Sequence, residues 1–99
     1  MITPSSDELR GLLSQWLLMA QLDARQTTIL LAHYGIAGKQ KTLQELGKQF
    51  SISRQRVRTI EAQALGKLRK AMKDADVGLV RTLAQHHPYY DLIDTLIGF

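Results

Sequence analysis

The chain contains no cysteine, only two prolines and no apolar run long enough to cross a membrane. Without cysteine there can be no disulfide framework, no thiolate zinc site and no cysteine nucleophile. The first residues, MITPSSDELR, lack a basic segment followed by an apolar one, so no signal peptide is expected. These absences favour a cytoplasmic protein with no part in a membrane.

Strand-like alternation, internal repeats and low-complexity segments are also missing, whereas apolar residues recur at helical spacing. Ninety-nine residues can enclose one small core, and an apolar share of 44% is typical of a folded chain. We therefore predict an all-α fold, a helical bundle.

Capping signals place the first two helices. Ser5 and Glu8 have capping-box spacing, so a helix should start at Ser5 or Ser6. Asp23 with Gln26 predicts a second start, and Gly35 a left-handed stop. The first helix carries one apolar face: Leu9, Leu12, Leu13, Trp16, Leu17 and Ala20.

The C-terminal part shows a weaker helical pattern, interrupted at Pro88. Val77, Leu79, Val80 and Leu83 predict one short helix. A second apolar stripe follows the proline, made of Leu92, Ile93, Leu96 and Ile97.

The most informative stretch is Thr42–Met72, where a capped helix, a tight turn and a long basic helix follow one another. Thr42 and Glu45 form a capping box, so this helix begins at Leu43. Gly47 is small at a close crossing, and Ser51 with Ile52 makes the turn. The long helix, capped by Ser53 and running to about Lys73, should bury Val57, Ile60, Ala64 and Leu68 and expose Arg54, Gln55, Arg58 and Thr59.

This order of elements is typical of a DNA-binding helix-turn-helix, whose long second member we call the recognition helix. Positive charge is concentrated in the same half. Residues 39–73 hold ten Lys or Arg against two Glu, a net +8, which leaves −4 for the rest. Such clustering indicates a polyanion as partner. At the start of the recognition helix, the fork of Arg54 can bond guanine O6 and N7 together.

The runs LGKQF, RQRVRTIEA and LGKLRKA, with LDARQTTILLAHYGI upstream, resemble region four of primary-type bacterial sigma factors. The resemblance covers roughly residues 22–72. Together with the apolar stripes at the two ends, which the family pattern does not explain, it predicts three parts: an amphipathic helix that packs on the domain (1–21), the helix-turn-helix domain (22–73) and a helical extension (74–99).

The resemblance implies a role in transcription initiation, in which upstream promoter DNA and the β-subunit flap of RNA polymerase core are bound together. It assigns base reading to Arg54, Gln55, Arg58 and Thr59. Phosphate contacts are expected from Arg56 and from the first turn of the preceding helix, where Thr42, Leu43 and Gln44 offer backbone N–H groups. No cofactor or metal is implied.

Several positions depart from the family pattern. Gln55 replaces Glu and Thr59 replaces Gln, which favours a different preferred promoter sequence, because an amide suits adenine where a carboxylate suits cytosine. Leu31 and His33 stand where arginines are common, so phosphate contacts there should be weaker. Gln63 and Gly66 replace basic residues that help receive activators, so the response to activators should also be weaker.

Other functions fit less well. His33, His86 and His87 lack the motif surroundings of an enzyme, and the His86–His87 pair lacks a third metal ligand. The rivals are a sigma-like interaction protein that binds polymerase or a sigma regulator without reading DNA, and a stand-alone dimeric repressor. The tail stripe could cover the core of its own chain or form a homodimer.

Overall fold

The computed structural model describes residues 6–36 and 38–98. Within these ranges the fold is all-α, as predicted, with six helices and no strand. The helices are α1 (Ser6–Ala20), α2 (Ala24–His33), α3 (Leu43–Phe50), α4 (Arg54–Ala71), α5 (Val77–Ala84) and α6 (Tyr90–Gly98). The proposed cap at Ser5 lies outside the described residues.

The predicted helix boundaries are largely confirmed, because local hydrogen bonds fix them. Asp23 and Gln26 form the capping box of α2, and Gly35 follows its end with a φ of 70°. The recognition helix is α4, capped by Ser53. It ends at Ala71, two residues before the expected Lys73.

Helix α4 is the central element and packs against α1, α2, α3 and α6. Its inward face changes neighbours along its length. Val57 and Ile60 join Ile29 and Leu46 in a small cluster between α2, α3 and α4, which we call the reading-half core. The later turns of α4 face a second cluster.

That second cluster, the scaffold core, contains fourteen buried residues from five of the helices. Leu9, Leu13 and Trp16 come from α1, and Leu92, Ile93 and Leu96 come from α6. The apolar stripes at the two ends of the chain therefore pack on the same core. Because α6 buries its stripe within its own chain, nothing in the structure supports a homodimer through the tail.

None of the helices in the described ranges combines the length and the hydropathy that crossing a bilayer requires. The same ranges contain no cluster of His, Asp or Glu that could hold a metal ion. His87 is buried and lies edge-to-face against the ring of Tyr89 at 4.6 Å between centroids.

Candidate nucleic-acid interface

The start of α3 is built by a reciprocal capping box. The Glu45 amide donates to the Thr42 hydroxyl oxygen, and the Thr42 amide donates to the Glu45 carboxylate, both at 3.1 Å. Hydrogen bonds to the carboxylate from the Thr42 amide and from the Thr42 side chain lower the pKa of Glu45. The Thr42 amide is thereby occupied, contrary to expectation, whereas the amides of Leu43 and Gln44 have no acceptor within the helix.

Two residues make the turn between α3 and α4 tight, one through its backbone conformation and the other through its lack of a side chain. Ser51 is left-handed, with φ 57° and ψ 42°, and ends α3. At Gly47 an added Cβ would lie 2.8 Å from the Ile52 carbonyl oxygen. Glycine is therefore required, although the close neighbour is the turn backbone and not the helix that was expected. A side chain at this position would force the turn backbone next to the start of α4 to move.

The first turns of α4 present the predicted polar face to solvent. Arg54, Gln55 and Arg58 are exposed and line one open depression of about 410 Å³. Thr59 is half-buried, and its hydroxyl donates to the Gln55 carbonyl at 3.1 Å. Arg56 is also exposed on the first turn, where its amide donates to the Ser53 cap.

A larger groove of about 600 Å³ lies beside this face. It is lined by the start of α3, by the loop before it, by Arg54 and by the end of α2: His33, Gln40, Lys41, Thr42, Leu43, Gln44 and Arg54. Arg54 lines both the groove and the depression. The residues expected at phosphates and those expected at bases therefore form one continuous surface, apart from Arg56 and Thr59, which line neither the groove nor the depression.

The basic side chains of this surface have no ion-pair partner in the part of the chain that the structure describes. Across residues 6–36 and 38–98 the single salt bridge joins His33 Nδ1 to a carboxylate oxygen of Glu61. Lys41 donates to the neutral amide of Gln49 at 2.8 Å. The charges of Arg54, Arg56 and Arg58 remain available to an external anion.

The His33–Glu61 pair was not foreseen from the sequence. Glu61 is only 9% exposed, and burial raises the pKa of its carboxyl, an effect opposed by His33 and then by Arg58. The two partners are 28 residues apart on different helices. Only the packing of α2 against α4 brings them together, so no sequence spacing could have shown the pair.

An apolar groove of about 260 Å³ lies elsewhere, between α1, the end of α4 and the start of α5. Two large apolar side chains line it yet remain in water: Met19 is 58% exposed and Leu79 is 54% exposed. Asp74 and Asp76 line its rim. Exposure of large apolar side chains around one groove is typical of a protein-binding surface.

Comparison with known proteins adds independent information. The family model described as Sigma-70, region 4 matches residues 18–70. RNA polymerase sigma factor SigA1 of Synechococcus elongatus is 40% identical over 70 residues, covering 68% of this chain and 18% of the relative. RNA polymerase principal sigma factor HrdD of Streptomyces griseus is 40% identical over 76 residues, covering 74% and 23%.

The chain thus spans about a fifth of the length of these relatives. No solved structure gives a significant match. The matched residues, 18–70, run from the end of α1 almost to the end of α4 and include every residue of the interface described above.

Proposed function

Because the chain belongs to the sigma-70 region 4 family, we propose that it binds upstream promoter DNA and RNA polymerase together during transcription initiation. One observation carries the DNA part. Arg54 and Arg58 of α4 and the start of α3 form one surface whose positive charge has no ion-pair partner in the described part of the chain. On this proposal the chain acts as a binding module in the cytoplasm and catalyses no reaction.

The residues divide by the part of DNA that each would meet. Arg54, Gln55 and Arg58 face outward from the first turns of α4 and would read base edges in the major groove. Thr59 lies one turn beyond Gln55, and its hydroxyl proton is already donated to the Gln55 carbonyl. We assign it a supporting contact, through its oxygen or its methyl group, at the edge of this face.

Phosphate contacts would come from the neighbouring groove. The free amides of Leu43 and Gln44 point out of the first turn of α3, where the helix dipole also favours an anion. Thr42 is exposed at the same end of α3, and its side-chain hydroxyl would make this contact in place of its occupied amide. Arg56 would meet phosphate from the first turn of α4.

For the polymerase contact we propose the apolar groove between α1, α4 and α5. Its exposed Met19 and Leu79 offer the apolar area that a subunit contact needs. The groove uses only the last turn of α4, whereas the DNA surface uses the first turns. The family resemblance makes the β-subunit flap the expected occupant. Contact with the remainder of a longer sigma protein would use the same kind of surface.

The test is a gel shift on promoter duplexes, with and without core polymerase, repeated over a range of salt. The proposal expects weak binding by the chain alone, with a log–log salt slope of about −0.9 for each phosphate engaged, and tighter binding with polymerase. A slope near zero with polymerase binding retained would support the interaction protein that does not read DNA. Tight binding to palindromes without polymerase would support the repressor.

A matched pair of variants tests the polymerase groove. Met19→Glu places a charge in the groove, whereas Leu18→Glu changes its neighbour on α1, which is 81% exposed and does not line the groove. Met19→Glu should weaken capture of core polymerase and leave duplex binding unchanged. An equal effect of both variants would move the contact away from the groove.

A further inference from the structure

His33 lies where α2 packs against α4, at the edge of the groove in which phosphate contacts are proposed. It is the last residue of α2, and its ring lines the groove beside Thr42, Gln44 and Arg54. Its Nδ1 is paired with Glu61, while its Nε2 has no hydrogen-bond partner among residues 6–36 and 38–98. One nitrogen of the ring is therefore held by α4, and the other is free for a ligand.

A protonated His33 ring is chemically complementary to Glu61 on one side and to an anion on the other. The carboxylate is almost buried and needs a partner that neutralises it. A protonated imidazole can donate from both nitrogens, so it can bind Glu61 and an external anion at once. A neutral imidazole with its hydrogen on Nδ1 offers the groove only an acceptor, which a phosphate oxygen cannot use.

The groups around the ring act in opposite directions. Lys41 and Arg54 line the same groove and disfavour a further positive charge, and Arg58 does so through its attraction for Glu61. Glu61 favours the charge. Tyr34 contributes an uncharged ring edge-on at 5.4 Å, and burial raises the pKa of its hydroxyl. A DNA phosphate would add a second anion to this set, on the side of Nε2.

We propose that His33 is a phosphate-binding residue, positioned by Glu61, and that DNA binding takes up a proton at this ring. The inference rests on the proposed DNA-binding function and deepens it. It also revises the expectation that a histidine here only removes positive charge. The charge depends on protonation of the ring, so affinity for DNA should rise as pH falls.

The experiment measures binding of the full 99-residue chain to a short mixed-sequence duplex, by fluorescence anisotropy at low salt, between pH 8 and pH 5.5. A mixed sequence suffices because phosphate contacts do not depend on base sequence. The wild-type affinity should rise by up to about fivefold, the range of one exposed ion contact. The salt slope should steepen by about 0.9, equivalent to one more phosphate.

Variants separate this ring from the other histidines. His33→Gln, which keeps the ring's polarity without a charge, should bind equally at both pH values. His33→Arg carries a permanent charge. It should bind at pH 8 and at pH 5.5 with the affinity that the wild type shows at pH 5.5. The control is His86→Gln, which changes an exposed histidine between α5 and α6 and should keep the wild-type pH dependence.

Nuclear magnetic resonance of the His33 ring gives a readout that needs no folded His33 variant. The titration midpoint should rise when duplex is added, and Glu61→Gln, which removes the residue that positions the ring, should reduce that rise. A midpoint that duplex does not change, or a His33→Gln variant with the wild-type pH dependence, would overturn this inference but not the proposed DNA binding. Absence of duplex binding at every pH would overturn the proposed function, and this inference with it.

Discussion

The reading-half core and the scaffold core differ in size and in what surrounds them. The first contains four buried residues under the basic surface, whereas the second contains fourteen and unites both ends of the chain. The reading half must keep its outer face charged and exposed, so it has less apolar area to bury. It relies instead on local devices: two capped helix starts, a left-handed Ser51 and the close approach at Gly47.

Helix α4 links the two halves, since its first turns cover the reading-half core and its last turns cover the scaffold core. A rigid helix anchored at its far end can hold its exposed end in a fixed orientation. Stability should therefore be supplied mainly by the scaffold half and DNA contact by the reading half. The following substitutions test this separation.

The largest effect is expected from Leu68→Ala in the scaffold core. Leu68 is fully buried, so the substitution leaves a cavity that should lower the free energy of unfolding by about 2–5 kcal/mol. The measurement is the denaturant midpoint. Leu18→Ala, at a position 81% exposed, is the control and should change it little. Two separate unfolding transitions, with only one shifted, would show that α4 does not couple the halves.

Gly47→Ala should have the next largest effect and act on the turn. The new Cβ would meet the Ile52 carbonyl oxygen at 2.8 Å, and relief requires a backbone shift that costs about 1–3 kcal/mol. Because that shift redirects α4, duplex affinity should fall as well. Gly11→Ala, with nothing within 4 Å of the added Cβ, should leave stability unchanged or slightly raised. Unchanged DNA binding in a destabilised Gly47→Ala would mean that the turn angle does not matter.

Arg54→Ala should affect binding without affecting stability. Loss of a guanidinium fork at the start of α4 should cost about 1–3 kcal/mol on the best site and reduce the preference at one guanine. Binding to a panel of single-base variants of the site measures this. Arg81→Ala, an exposed arginine on α5, is the control and should be neutral. A uniform loss across the panel would reassign Arg54 to phosphate.

Thr42→Ala should give the smallest effect, about 1 kcal/mol of stability, through loss of the α3 cap. It should also change the pH dependence. The pKa of Glu45 is lowered in the folded state, so its contribution is present above its ordinary pKa and is lost as pH falls through the lowered value. In acid unfolding curves, Thr42→Ala should therefore lose less stability than the wild type as pH falls. Thr28→Ala, exposed on α2, is the control, and an identical acid response in both would contradict the cap's role.

Much of the reading half could be predicted because its signals are local. Capping boxes at Asp23 and Thr42 and the turn at Ser51 depend on residues a few positions apart, which spacing reveals directly. The inward set Val57, Ile60, Ala64 and Leu68 follows from helical periodicity. The outward position of Arg54, Gln55 and Arg58 follows from the same period.

The assignment of these residues to bases or phosphates stays a prediction. Periodicity fixes the face on which a side chain lies, whereas contact with DNA depends on the partner. In the same way, helix-start signals predicted three free amides at α3, but the reciprocal bond to Glu45 occupies that of Thr42.

By itself the sequence determined the class of fold, the helix-turn-helix and the concentration of charge on its half, because each depends on composition or short-range spacing. The tertiary structure alone decided three further features: the burial of the α6 stripe against α5 and α4, the exposed groove at Met19 and Leu79, and the pairing of His33 with Glu61. Each depends on which faces of distant helices meet. That choice is made by the packing of the whole core, which no local pattern encodes.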